Sequence, residues 1–215
     1  MGDDLYLQFI FIVCAGFILG LYFFYSAYRI QKQRGVVIES KIVFVLMLLI
    51  SIVPFFYVGS LGVDPFIMYG VVIGILVVGL LSRFYFNGKE VTIYETTKES
   101  VVSLLNKELT QRSIPYEIKG DFQADETIFD LYEGKAKIKV EAGILGEERK
   151  NIKISFKRWW STPQVDEVQY RIMEVYRKDR DGELFWKQIL LHCILGFGII
   201  LAIGYFALNM NPRLL

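Results

Sequence analysis

The chain has 215 residues, a formal net charge of +1 and a mean hydropathy of +0.38, although 22% of its residues are charged. The near-neutral balance gives no support to nucleic-acid binding, and two cysteines are too few for the disulfide framework of a small secreted protein. Long uncharged segments flank one region that is dense in charge, and this contrast predicts a membrane protein with a single soluble domain.

Four segments have the composition of membrane-spanning helices, which need about 20 apolar residues to cross the hydrocarbon. They comprise residues 5–28, 42–60, 66–86 and 187–209. The first is expected to be retained, because the opening Met-Gly-Asp-Asp lacks the cations that precede the apolar part of a signal peptide. The sequence therefore predicts a multi-pass membrane protein in which residues 1–86 hold three transmembrane helices, 87–182 form a cytosolic domain, and 183–215 hold the fourth helix and a short outer tail.

The charges that flank these segments predict their orientation. The N-terminal tail carries only Asp3 and Asp4, whereas cations gather after the first segment and at both edges of the charged region. These cations are Arg29, Lys32, Arg34, Lys41, Arg83, Lys89, Arg177, Lys178, Arg180 and Lys187. Because cations are retained on the cytoplasmic side, we expect a cell-membrane protein with both ends outside and residues 87–186 in the cytoplasm.

Small residues recur one helical turn apart in three of the apolar segments. The pairs are Gly16 with Gly20, Gly70 with Gly74, and Gly198 with Ala202. Such spacings let helix backbones approach closely. They predict packing among the helices and leave a homodimer open as an alternative.

The charged region is expected to fold as an α+β domain with the order β-α-β-β-β-β-α. Alternation of apolar and polar residues predicts five strands near 91–93, 116–119, 127–133, 136–141 and 151–159. One helix begins at the capping box Thr96 and Glu99 and ends before Pro115, and another opens at Thr162 and Pro163. These one-sided elements predict a two-layer sandwich with a mainly antiparallel sheet and both helices on one face.

The other sheet face carries the candidate site. Alternation along the last strand places Trp160 with Phe156 against the helices and Trp159 on the opposite face. The alternative is that the strand has already ended and Trp159 folds over an edge. The residues expected to contact the anionic cytoplasmic leaflet, or a small anion, are Lys137, Lys139, Lys153, Lys157 and Trp159. A second alternative is that the lysines only solvate and protect an open sheet face.

The soluble region contains neither His nor Cys and none of the glycine-rich phosphate-binding motifs. We therefore expect no catalytic residues, no cofactor and no metal. The expected function is that of a non-enzymatic regulator, adaptor or complex subunit that presents a protein-binding domain at the lipid bilayer. One alternative is a small transport or channel component, which the lack of charged partners for His192 disfavours. The other is a membrane-tethered sensor that binds an anionic ligand on the lysine face.

Overall fold

A computed structural model describes residues 2–39, 88–119, 126–132, 136–142 and 150–209, together with several helical residues between 70 and 81. The long helices are α1 (Gly2–Lys32), α2 (Lys98–Gln111), α3 (Gln164–Asp179) and α4 (Trp186–Asn209). The strands are β1 (Val36–Ile38), β2 (Lys89–Thr96), β3 (Tyr116–Lys119), β4 (Glu126–Leu131), β5 (Lys137–Ala142) and β6 (Lys150–Lys157). These elements form two compact units. The helix unit contains α1 up to Arg29 together with α4, and the sheet unit contains the described residues of 30–39 and 88–185.

Two helices of the described chain, not four, are long and apolar enough to cross a membrane. They are Ile12–Lys32 within α1 and Trp186–Asn209, and both indicate membrane association by their length and composition. The prediction of four spans is therefore wrong. Residues 42–60 of the second predicted span lie outside the described residues, as do most of those in the third, 66–86. An uncharged composition is necessary for a membrane span, but it does not by itself make a segment a continuous helix.

Within the helix unit, α1 and α4 pack side by side and run in opposite directions. The ring centroids of Phe9 and Phe206 are 5.8 Å apart, and those of Phe24 and Phe197 are 5.0 Å apart. Between these pairs the backbones approach closely at Gly20, where an added Cβ would lie 3.3 Å from the carbonyl oxygen of Gly196. Glycine permits this approach because it has no side chain between the two helices.

Of the small residues predicted to mediate packing, one pair does so within the described part of the chain. Gly16 and Gly20 face α4, and an added Cβ on either would collide with an isoleucine of that helix. Among the residues that the structure describes, none comes within 4 Å of a Cβ added at Gly198, Gly70 or Gly74. The α4 contact belongs to Gly196, because the face that α4 turns toward α1 is offset from the spacing that the sequence suggested.

The sheet unit contains six antiparallel strands in the order β1-β2-β6-β5-β4-β3, one strand more than predicted. The additional strand, β1, follows α1 directly and pairs with β2 through Val36 and Ile93. Sequence analysis assigned this segment to a loop because three residues are too few for an alternating pattern to be recognised.

Helices α2 and α3 cover one face of this sheet. Their buried stripes include Leu105 and Leu109 from α2 and Val168 and Ile172 from α3. The strands supply Val91, Ile93, Phe129, Ile138, Ile154 and Phe156 to the same core. The N-cap of α2 is Thr97, whose side chain accepts a hydrogen bond from the Ser100 backbone N–H at 3.3 Å, rather than the predicted Thr96.

Candidate functional site

The predicted lysine face exists as the outer face of the sheet, but its lysines alternate with carboxylates. The Nζ atom of Lys137 lies 3.2 Å from Asp130 on the neighbouring strand. Lys139 lies 2.8 Å from Glu126 and also pairs with Glu141. Cross-strand pairs of opposite charge stabilise an exposed sheet surface by a few tenths of a kcal/mol each. They also reduce the positive potential that a leaflet or a free anion would meet.

Lys153, the third predicted lysine, lies between two carboxyl groups. Its Nζ is 3.3 Å from Glu39 and 3.1 Å from Glu90, and the Thr92 hydroxyl donates to the other oxygen of Glu39 at 2.9 Å. Burial, followed by a hydrogen bond with Glu39, raises the pKa of Glu90. Burial also acts against ionisation of Glu39, but the hydrogen bond with Glu90 and the charge of Lys153 outweigh it and lower the Glu39 pKa. Glu90 is therefore the more readily protonated carboxyl of the pair, and Glu39 is the more readily ionised one.

Trp159 does not lie on the lysine face. Strand β6 ends at Lys157, and the next residue, Arg158, adopts a left-handed conformation with φ of 52° that interrupts the alternation. Trp159 then packs against the helix-side core, with the Nζ of Lys89 3.5 Å from its ring centroid, while Trp160 is 48% exposed. The prediction for the two tryptophans is therefore wrong in that Trp159, and not Trp160, packs against the helix-side core.

Four of the five candidate residues consequently share one face. Lys157 is opposite Lys137 in the register of β5 and β6, and Lys139 and Lys153 lie on the same side. Contact of this set with the leaflet or with an anion remains a prediction. For three of these lysines, the carboxylates beside them favour the alternative of a solvated, mutually neutralised surface.

A second polar constellation, which the sequence analysis did not identify, lies where the sheet unit connects to α1 and α4. We call it the joint and define it as residues 30–35 and 177–185. The Gln31 side-chain amide donates to the carbonyl of Glu183 at 3.0 Å, and its oxygen accepts from the backbone N–H of Phe185 at 3.2 Å. One amide therefore bridges the two chain segments that lead to the two candidate spans.

A small apolar cluster lies beside this bridge. Ile30, Val37 and the fully buried Phe185 pack together, with Tyr94 against them. Gly35 has a φ of 71°, and a Cβ at this position would lie 2.4 Å from the Phe185 ring. Glycine is required here both by the backbone conformation and by the close approach of the ring.

The side chain of Arg180 connects the joint to strand β2. Its guanidinium donates to the carbonyls of Tyr94 at 2.6 Å and of Glu95 at 3.2 Å, and it lies 5.1 Å from the Tyr176 ring and 5.8 Å from the Phe185 ring. The two carbonyls belong to an irregularity of β2, where Glu95 has a φ of 51° and the register with β6 shifts. The arginine thus donates to two backbone carbonyls at the point where the strand is irregular.

Sequence analysis did not identify the joint, because the rule that predicts membrane orientation already accounted for its cations. Arg34 and Arg180 belong to the positive charges that the orientation rule attributes to the cytoplasmic side. In the structure Arg34 also donates to the Arg177 carbonyl at 2.9 Å and pairs with Asp181 at 2.9 Å. The same residues therefore supply an orientation signal and specific tertiary contacts.

Among the residues that the structure describes, no group of three or more His, Cys, Asp or Glu side chains is arranged to hold a metal ion. Comparison of the chain with protein-family models, with curated proteins and with solved structures found no match.

Proposed function

We propose that this protein is a non-enzymatic, membrane-anchored regulator, adaptor or complex subunit that presents its sheet unit to a protein partner. The observation that supports this proposal is the joint. Gln31 bridges the segments that lead to both candidate spans, and Arg180 fixes the second of these segments to the sheet. Within the sheet unit, the two chain ends that continue into the candidate spans are thus held together by specific contacts, which favours an ordered connection over a flexible tether.

The proposal places the sheet unit in the cytoplasm, with the start of α1 and the end of α4 outside. The cations beside the described ends of the two spans support this orientation, notably Arg29 and Lys32 at the end of α1 and Lys187 at the start of α4. The N-terminal start of α1 instead carries Asp3 and Asp4.

Cysteine labelling tests this orientation. After Cys14 and Cys193 are replaced by Ala, a membrane-impermeant maleimide added to sealed cells should label Asp4→Cys near the start of α1. It should label Ser103→Cys, on the exposed side of α2, only after the cells are permeabilised. Labelling of Ser103→Cys in sealed cells would show that the orientation is reversed.

Affinity purification tests the presentation of a partner surface. The full chain, extracted in mild detergent from its native membrane after reversible cross-linking, should retain one protein at stoichiometric yield. Phe156→Asp puts an uncompensated charge into the sheet core and should abolish this retention. Lys107→Glu, which changes an exposed side chain of α2, should leave it intact. Recovery of the chain alone would contradict the proposal.

A further inference from the structure

The sheet unit contains an open cleft that is rich in cations. Its volume is about 320 Å³, and it is lined by Arg34, Tyr170, Met173, Glu174, Arg177 and Lys178. Three of these side chains are positive and one is negative. The carboxylate of Glu174 is itself engaged by Arg171 at 2.6 Å, so the lining presents an excess of positive charge.

Both arginines of the cleft are held by contacts within the sheet unit. Arg34 donates to the Arg177 carbonyl at 2.9 Å and pairs with Asp181 at 2.9 Å, while Arg177 donates to the Val36 carbonyl at 3.0 Å. The Arg34 side chain nevertheless keeps 42% of its surface exposed, and Lys178 is exposed. Guanidinium groups fixed in this way lose little side-chain freedom when they bind, and their planar geometry matches the oxygens of a phosphate.

The cleft residues are close in the chain to the ends of the two candidate spans. Arg34 comes two residues after Lys32, the end of α1, so the chain connection between them spans at most about 7 Å. Lys178 comes eight residues before Trp186, the start of α4. Basic residues next to the cytoplasmic end of a span attract anionic lipid headgroups, so the proposed orientation makes a headgroup the favoured source of an anion for these cations.

We propose that this cleft binds a phosphate group, and that the source is the headgroup of an anionic phospholipid. The two guanidiniums and the ammonium of Lys178 supply the charge. The Tyr170 hydroxyl supplies a neutral donor, and Met173 supplies an apolar wall. The volume is at the low end of the range for small-molecule sites, about 300–1,000 Å³, which suits a single headgroup. The inference rests on the membrane association and orientation proposed above and does not depend on a protein partner.

Native mass spectrometry of the full-length protein in detergent tests the inference. The protein is exposed to phosphatidylglycerol or to phosphatidylcholine with identical acyl chains, and the bound lipids are counted. We expect preferential retention of phosphatidylglycerol. Lys178→Gln should weaken this retention roughly fivefold, the effect of one cation near an anionic surface. The double variant with Arg34→Gln should weaken it further, and matching melting temperatures would show that each variant remains folded.

Lys107→Glu provides a matched control, because it alters an exposed lysine on a different helix of the same unit. Equal loss of retention in this control would show that surface charge in general attracts the lipid and would overturn the proposed site. Equal retention of the two lipids would overturn it as well. Displacement of bound phosphatidylglycerol by millimolar inorganic phosphate would assign the cleft to a soluble phosphate compound instead of a lipid. The partner purification is independent of these outcomes, so either proposal can fail alone.

Discussion

At the scale of single residues, the two carboxyl groups around Lys153 make the sheet unit sensitive to pH. Because burial and the hydrogen bond with Glu39 raise the pKa of Glu90, its folded environment favours the protonated form. Glu90 therefore stabilises the folded state fully below pH 4.5, the ordinary pKa of a glutamate. This stabilisation is lost as the pH rises through the pKa that Glu90 has in the folded protein. Glu39 behaves in the opposite sense, because its pKa is lowered. Ionised Glu39 stabilises the folded state above pH 4.5, the ordinary pKa of a glutamate, and this stabilisation is lost on acidification.

Glu90→Gln should therefore raise the free energy of unfolding at pH 7–8, by about 1 kcal/mol or less. The amide keeps a hydrogen-bonding partner for Glu39 and removes a buried charge that its surroundings disfavour. Glu39→Gln should lower stability at the same pH, because Lys153 and Thr92 then lose their ionised acceptor. Thermal unfolding of the full chain in detergent between pH 4 and pH 8 measures both effects. Shifts in the same direction for the two variants at pH 7–8 would contradict the assigned protonation states.

At the scale of elements, the contact between α1 and α4 depends on one glycine of α4. A Cβ at Gly196 would lie 3.1 Å from the Gly20 carbonyl oxygen and 3.0 Å from the Phe24 ring, whereas a Cβ at Gly198 would meet no described residue within 4 Å. The backbone oxygen cannot move without displacing its helix. The two glycines therefore differ in packing although they lie on the same turn.

Gly196→Ala should destabilise the pair of helices relative to Gly198→Ala by about 1–3 kcal/mol, the usual effect of overpacking. The two changes are chemically identical and gain the same helix propensity, so their difference isolates the contact with α1. The free energy of unfolding is measured by titrating the full chain with a denaturing detergent and monitoring the loss of helical circular dichroism. Equal stability of the two variants would show that the crossing at Gly20 does not contribute.

The elements that the sequence predicted correctly are those with a sustained period. The alternation of Ile138 with Val140, and of Ile154 with Phe156, identifies β5 and β6 because each strand buries one face. Strand β1 has three residues, and its place in the sheet depends on β2, more than fifty residues later in the chain. No local pattern carries that information.

The candidate sites likewise combine features that a local sequence pattern predicts with features that depend on residues distant in the chain. The lysines of the outer face follow from alternation, but their carboxylate partners follow from the register of neighbouring strands, which the sequence did not determine. Trp159 was misplaced because a single left-handed residue, Arg158, ends the alternation. The bridge from Gln31 to Phe185 joins segments more than 150 residues apart, so only the folded chain reveals it.

At the scale of the whole molecule, the joint connects, within the sheet unit, the last residues of α1 to the segment that precedes α4. The contacts that make this connection are specific: Gln31 contacts the segment before α4, and Arg34 pairs with Asp181. A displacement of either segment can thus reach the other through a defined network.

Insertion of ten Gly/Ser residues between Gly182 and Glu183 tests this connection. No described residue lies within 4 Å of a Cβ added at Gly182, which makes this position suitable for an insertion. The longer segment lets Glu183 and Phe185 leave the Gln31 amide, and a flexible linker of this length transmits little displacement. Purification of the partner should still succeed, because the sheet surface is unchanged. Any response of the partner that depends on the membrane helices should be lost.

Gln31→Ala should produce the same loss without lengthening the chain, at a cost of about 0.5–1.5 kcal/mol for its hydrogen bonds. Gln111→Ala, at the exposed end of α2, is the matched control and should have no effect. Since the insertion and Gln31→Ala act on one contact, their combination should be no more severe than either change alone. Additive effects would mean that the two changes act through separate routes. A normal partner response in the doubly altered protein would show that α1 and α4 serve only to anchor the sheet unit.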